Sequence, residues 1–265
     1  MEPQFDRHNV REFFEEMSPS YFDKYGSAKT EGHSFRSRKQ RTLACIDAAG
    51  PWTGKHVLDI GCGPGVMVAE LLARSFAEVH AIDVSPGMVE DCRKRFHGVS
   101  ALTCEVGDAT RLAYPDRRFD LVLAMGLVEY FDDADVDVIY REVTRVLQPG
   151  GKLLVTYPNA SSVYRRLSVR PWLSRTKRLF ERLRGDGIRR VAKQTFHEEQ
   201  VARDAARHGL NVSAVRYYNY KVTPYPFDQL FPRPAVFLAE QLESIDRGPA
   251  QYLGTGFIVL FERTR

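Results

Sequence analysis

The residues with the clearest chemical content close an apolar run, Val57-Leu58-Asp59-Ile60, after which Gly61, Gly63 and Gly65 alternate with Cys62 and Pro64. Glycine has no Cβ, so it takes positive φ and lets backbone N–H groups come close to a ligand. A helix opening near Val66 then turns its positive end toward the same space. A dinucleotide fingerprint places its third glycine three residues after the second, and here Val66 stands there. That spacing argues against a nicotinamide cofactor. A second carboxylate, Asp83, ends the run Val79-His80-Ala81-Ile82 and follows Gly65 by 18 residues, where an acidic group can accept from both hydroxyls of a ribose.

These residues need a scaffold, and the chain alternates strand and helix to provide one. Strands are predicted over 56–60, 78–83, 101–105, 119–125 and 152–157, with helices over 65–74, 86–95 and 134–146 between them. Such alternation builds a parallel sheet covered on both faces, with ligands at the carboxyl ends of the strands. Ahead of it, Val10, Phe13, Phe14 and Met17 recur at helical spacing and are followed by Tyr21, Phe22 and Tyr25, which predicts an aromatic-rich amphipathic helix from Val10 to Tyr25. A second helix over 34–49 leads into the first strand. Beyond 157, Thr195 stands three residues before Glu198, the spacing of a capping box. Strand-like runs at 211–220 and 256–262 flank a short helix at 236–245.

In this order the Asp-x-Gly-x-Gly-x-Gly run, Asp83, Gly107-Asp108-Ala109, Phe119 to Met125 and Leu147-Gln148-Pro149-Gly150-Gly151 resemble the motifs of class I S-adenosylmethionine-dependent methyltransferases. The resemblance implies an α/β, Rossmann-like fold: a seven-stranded, mostly parallel sheet with helices on both faces, its last strand antiparallel. An N-terminal helical lid and a helical insert after strand five complete it. It also implies roles in binding S-adenosyl-L-methionine. Asp59 anchors the methionine end above Gly61, Gly63 and Gly65, Asp83 takes the ribose, Met88, Asp108 and Ala109 lie near the adenine, and Met125 meets the cofactor through its main chain. Taken alone, Asp59 also reads as a strand-end cap, Asp83 as a helix N-cap, Asp108 as a turn residue and Met125 as core. Within the family, the chain is most similar to the O-methyltransferases of ubiquinone biosynthesis and similar enzymes acting on hydrophobic phenols. Their arginine for the cofactor carboxylate falls, in an ungapped overlay, on Arg41, sixteen residues before Val57.

The chain departs from those relatives after strand four. Where they carry Met-Glu-x-Leu-Glu-His, it reads Met125-Gly126-Leu127-Val128-Glu129-Tyr130. A histidine near pKa 6.5 is a natural base for a phenol proton, whereas an ordinary tyrosine near 10 is a poor one. Candidate catalytic residues are therefore His197, Glu129 and Tyr130, with His8 and His33 as further lone histidines. Loss of one carboxylate at Gly126 also removes a ligand that metal-recruiting relatives use, and no metal is expected.

At 265 residues and 43% hydrophobic content, the chain is long enough for one methyltransferase domain over 1–265. Its parts are an N-terminal helical cap (1–50), a cofactor-binding core (51–157), a basic helical insert (158–194) and the C-terminal part of the sheet (195–265). With no 18-residue apolar span, no leader at Met1-Glu2-Pro3-Gln4 and four cysteines outside any C-x-x-C spacing, a cytoplasmic protein is expected. The net charge of +4 is uneven: Tyr164 to Lys193 carries eleven Lys or Arg against two acids, which leaves that segment at +9 and the remainder at −5. Apolar residues such as Leu167, Trp172 and Phe180 interleave with those arginines. That pattern suits peripheral contact with an anionic membrane, a solvated lid, or a grip on a phosphate-bearing substrate. No RNA-binding signature accompanies it, which disfavours nucleic acid. The sequence thus points to in-line methyl transfer to a small hydrophobic or aromatic molecule, with oxygen the favoured acceptor. C- or N-methylation of an anionic molecule is the alternative within that class. A cofactor-binding subunit or lipid-surface adaptor without catalysis is the alternative outside it.

Overall fold

The structure is a computed structural model that describes residues 5–28, 30–164, 191–221, 223, 230–243 and 252–264. Seven strands form one sheet: β1 His56–Ile60, β2 Glu78–Asp83, β3 Leu102–Val106, β4 Phe119–Ala124, β5 Leu147–Pro158, β6 Leu210–Tyr220 and β7 Gly254–Arg263. Their spatial order is β3-β2-β1-β4-β5-β7-β6. The five strands from β3 to β5 are parallel, and β7 runs antiparallel to both of its neighbours. This is the predicted Rossmann-like arrangement.

Both faces of the sheet are buried, and the alternation of side chains along each strand divides the core in two. Leu58, Ile60, Val122, Ala124, Leu153 and Val155 pack on one face with Ile139, Tyr140 and Val143 of α6 (Asp133–Val146). Val57, Val79, Ala81, Leu121 and Leu123 pack on the other. There they meet α3 (Thr30–Ala49), α4 (Val66–Leu72) and α5 (Pro86–Arg95) through Ile46, Met67, Leu71, Val89 and Cys92. The chain reverses at β1, where neighbouring crossovers leave to opposite faces, and a crevice opens above the strand tips.

Local chemistry moves several boundaries. The predicted helix over 10–25 is two helices, α1 Arg7–Tyr21 and α2 Asp23–Gly26, with Asp6 capping the first by accepting from the His8 N–H. The expected capping box does not form. Helix α7 (Glu198–Ala206) starts at Glu198 with His197 as its N-cap, and Glu198 accepts instead from the hydroxyl of Tyr217 on β6. The helix predicted at 236–245 is α8, Pro232–Leu242, started by Pro232 in its first turn. Most of the basic segment, 165–190, lies outside the described residues, and so does the interfacial helix expected in it. No helix among the described residues is long and apolar enough to cross a membrane.

Gly65 shows how packing and backbone conformation act together. It caps α4 at φ +86, and a Cβ there would stand 2.6 Å from a ring carbon of Phe96 and 2.9 Å from the Cys92 sulfur. Gly65→Ala is therefore expected to lower unfolding stability by about 2–4 kcal/mol, combining a left-handed backbone penalty with overpacking. A shift of the urea midpoint to lower concentration, with unchanged slope, is the measurement that checks it.

Candidate active site

The crevice above β1, β2 and β4 is a cleft of ≈ 800 Å³, counted to its open mouth. Its floor is the glycine loop. The N–H groups of Gly61 and Cys62 both donate to the Ile82 carbonyl, at 2.8 and 3.0 Å, which pins the loop to the tip of β2. The Gly63 N–H donates to Asp83 Oδ2 at 2.9 Å, and the Ser85 N–H to Asp83 Oδ1 at 3.0 Å. Each Asp83 oxygen thus keeps a lone pair for a hydroxyl in the cleft. Burial raises the Asp83 pKa, while the N–H groups of Ser85, Gly63 and Val84 pull it back. The N-cap role considered for Asp83 belongs to Ser85, whose hydroxyl accepts from the Met88 N–H.

Of the expected cofactor residues, Gly61, Gly63, Asp83, Met88, Asp108, Ala109 and Met125 line the cleft. Gly65 does not; it faces Phe96 and Cys92. Asp59 lies below the floor, 1% exposed, on the sheet face it shares with Val57. Its Oδ2 is enclosed without a hydrogen-bond partner among the described residues, and burial together with the Asp83 charge pushes its pKa up to about 7. A positive charge arriving above it would be favoured.

Helix α1 roofs the cleft. Glu15 accepts from the Ser85 hydroxyl at 2.6 Å and the Gly87 N–H at 3.0 Å, Ser18 donates to Asp91 at 2.7 Å, and Arg7 pairs with Asp135 and donates to Thr110 at 2.9 Å. These tethers hold Val10, Phe14 and Tyr21 over the opening. Their side chains exclude water from whatever binds beneath.

Next to the cleft lies a second cavity of ≈ 920 Å³, and the two share Phe14, Tyr21, Gly126 and Tyr130. Phe14 meets the Tyr130 ring edge-to-face at 5.0 Å. Burial, then the nearby Glu129 charge, raises the Tyr130 hydroxyl well above its ordinary pKa, and burial does the same for Tyr21. Both are neutral hydrogen-bond donors at physiological pH. The far wall carries Arg38, Lys24, Lys193 and Glu129. Lys193 holds its Nζ 4.7 Å above the Tyr130 ring.

The arginine beside the loop is Arg38, not Arg41. A Cβ added to Gly126 would stand 2.5 Å from Arg38 Nη1, and Gly126 itself adopts φ +70 with its N–H on Thr156 Oγ1 at 2.8 Å. Arg41, nearly one turn further along α3, lines neither cavity and lends its charge to Glu243. Of the proposed bases, only Glu129 and Tyr130 reach the site. His197 is exposed and bonds to Ser161 at 3.2 Å. His8 pairs with Glu12 at 3.1 Å on the surface, and His33 lies 3.3 Å from Glu243. Among the described residues no group of three or more His, Cys, Asp or Glu is placed to hold a metal ion.

The arrangement fits S-adenosylmethionine on its own geometry. A carboxylate stands ready for the ribose hydroxyls, backbone without side chains forms the floor at Gly61 and Gly63, and an arginine faces the space beyond Gly126. Comparison with known proteins agrees. The family described as a methyltransferase domain matches residues 57–151. The chain is 36% identical over 117 residues to the aklanonic acid methyltransferase of Streptomyces sp. strain C5, covering 43% of this chain and 52% of that protein. It is 40% identical over 105 residues to the fatty-acid O-methyltransferase of Mycolicibacterium smegmatis, covering 39% and 37%. The chain thus spans about half, or less, of the length of these relatives. In fold it is similar to the methyltransferase complexed with the Trm112 activator from Haloferax volcanii, with TM-score 0.67 at 18% identity over 97% of this chain and 98% of that one.

The folded chain holds the Asp59 proton up to about pH 7, while the unfolded chain releases it near 3.8. The native state therefore binds the extra proton between those values, and stability falls as pH rises through the interval. Asp59→Asn is expected to remove that slope and to leave the unliganded protein about 2–4 kcal/mol more stable at pH 8. Urea titrations at pH 5 and pH 8 check this; an equal effect at both values would contradict it.

Proposed function

We propose that this chain, whose residues 57–151 match a methyltransferase domain, is a class I S-adenosylmethionine-dependent enzyme that transfers a methyl group to an oxygen of a small, largely apolar acceptor that arrives already ionised, a carboxylate in particular. The observation that carries the reading is the wall common to the two cavities. Where a base for a phenol would stand, that wall presents Tyr130 and Tyr21, both with raised hydroxyl pKa.

When bound, the cofactor supplies an electrophilic methyl on a sulfonium. The protein's task is positioning: reacting atoms about 3 Å apart, in line, with water excluded. Asp83 and the glycine loop hold the nucleoside, and Phe14 and Tyr21 close over it. An acceptor carboxylate supplies the electron pair for the new C–O bond, the pair of the broken C–S bond stays on sulfur, and no proton moves. Opposite charges vanish in this step, so a dry aromatic chamber favours it over bulk water. Lys24 and Lys193 place positive charge along the cavity that would receive the acid. Two relatives are named for acids, aklanonic acid and fatty acids, which supports an acidic acceptor for this chain. A phenol needs a base stronger than a carboxylate to lose its proton near neutrality.

Incubation with the cofactor and matched aromatic and aliphatic acids, phenols and amines, read by mass spectrometry, tests the reading. Acids should gain one methyl as alkali-labile esters, with a rate nearly flat between about pH 6 and 9, since a carboxylic acid is ionised throughout. Phenols methylated in preference, with a rate climbing toward pH 10, would exclude it. Asp83→Ala should weaken binding of the product S-adenosylhomocysteine by about 1–3 kcal/mol through lost ribose bonds, measured by calorimetry.

A further inference from the structure

Among the described residues, the second cavity carries three basic side chains, Lys24, Arg38 and Lys193, and they are placed differently. Arg38 is half-buried and lies against Gly126, with its guanidinium 5.2 Å from the centre of the Phe35 ring. Lys24 is half-buried as well and stands 3.9 Å from the Glu31 carboxylate. Lys193 is exposed, yet its Nζ is held 4.7 Å from the centre of the Tyr130 ring. That ring belongs to both cavities. The Lys193 ammonium thus combines access to solvent with a place above the wall across which an acceptor would meet the cofactor.

A lysine loses rotamer freedom when it binds, and a fixed backbone on either side limits that loss. Here both sides are fixed. Ala192 is buried. Gln194 donates from its N–H to the Glu129 carbonyl at 2.9 Å and from Nε2 to the Phe131 carbonyl at 2.7 Å, which straps the chain to the short 3₁₀ turn Val128–Tyr130 after β4. Two residues on, the Phe196 N–H donates to the Pro158 carbonyl at 2.9 Å and the Phe196 carbonyl accepts from the Ala160 N–H at 2.9 Å. The run 192–196 is thereby fastened at the carboxyl ends of β4 and β5, and Lys193 hangs from it over the cavity. Glu31 and Glu129 line the same cavity and would repel an acid, so an acid is admitted only where a cation offsets them.

We propose that Lys193 selects the acceptor by charge: its ammonium donates to one carboxylate oxygen of the acid above the Tyr130 ring and leaves the other oxygen to take the methyl. The inference rests on the acidic-acceptor reading above and assigns the recognition within it to one residue. An ammonium is a point charge that engages a single oxygen, whereas a guanidinium fork tends to occupy both. Methyl transfer abolishes the negative charge of the acid. The ester therefore loses its hold on Lys193 and leaves more readily than the acid does.

Calorimetry on the full chain saturated with S-adenosylhomocysteine, which has no methyl to transfer, tests this with 2-naphthoic and octanoic acids against their methyl esters at pH 8. The unaltered chain should bind each acid about tenfold more tightly than its ester, the low end for a charged hydrogen bond because Lys193 is open to solvent. Lys193→Met should bring acid and ester within about twofold of each other by weakening the acid, with S-adenosylhomocysteine affinity unchanged. Lys193→Arg and Lys24→Met should both keep the preference. A Lys193→Met protein that still prefers the acids would overturn the proposal. Loss of the preference in Lys24→Met as well would overturn it too, since selection would then belong to the summed charge of the cavity, and so would weakened S-adenosylhomocysteine in Lys193→Met, as damage to the site. If the unaltered chain favours neither acid over its ester, the acidic-acceptor reading itself fails, which is a separate result.

Discussion

The cleft exists because one carboxylate holds two strand tips together. Asp83 ends β2, and by accepting from the Gly63 N–H it fixes the loop that leaves β1; by accepting from the Ser85 N–H it fixes the turn into α5. Two neighbouring βα units, whose helices α4 and α5 pack on the same face of the sheet, are thereby joined beside the point where the strand order reverses between β1 and β4. Without that bridge the loop would still be tied to the Ile82 carbonyl, but its glycines would lose their orientation toward the ligand. The arrangement has a cost, visible in the raised pKa of both Asp83 and Asp59. Two carboxyl groups, Asp83 in the cleft and Asp59 beneath its floor, stand where a positively charged sulfonium nucleoside would lie.

The roof is built on a different principle. Helix α1 buries only Val10 and Ser18 and is fastened through Glu15, Ser18 and Arg7 to polar groups on α5, α6 and the loop after β3. The Glu15 carboxylate sits at the N-terminus of α5, where it accepts from Gly87, and its pKa is lowered by the bonds from Ser85 and Gly87. A lid held by a few polar tethers can separate from the body at smaller cost than one welded into the core. A site that admits a nucleoside and an acceptor and then excludes water, as proposed above, would be served by that difference.

Those features that local chemistry dictates were legible in the sequence. Buried parallel strands are short apolar runs, and the glycine loop at the tip of β1 needs the positive φ that only glycine accepts freely, so strands, loop and Asp83 could be placed before any coordinates. Features that depend on helical phase could not. Arg38 and Arg41 lie on one helix within a single turn, and an ungapped count picks the one that faces Glu243. Thr195 and Glu198 have capping spacing, yet Tyr217, distant in sequence, captures the Glu198 side chain. His197 drew attention as a titratable residue, and only tertiary structure shows it bonded to Ser161 at the surface. The missing signal for Arg38 was Gly126: a glycine there leaves room that the half-buried arginine occupies.

Tyr130 and Gly126 replace a histidine and a glutamate of the phenol-methylating pattern, and the two exchanges make chemical sense together. Removing the histidine takes away the base; removing the glutamate clears the approach to Arg38. What remains around the cavity is complementarity of charge, with Arg38, Lys24 and Lys193 on one side of the balance and Glu31 and Glu129 on the other. The transfer proposed above, which would consume one positive and one negative centre and move no proton, asks a protein for order and dryness more than for acid–base chemistry. The aromatic wall, the neutral phenols of Tyr21 and Tyr130 and the charged groups beyond Gly126 give the proposed transfer an ordered, largely apolar chamber.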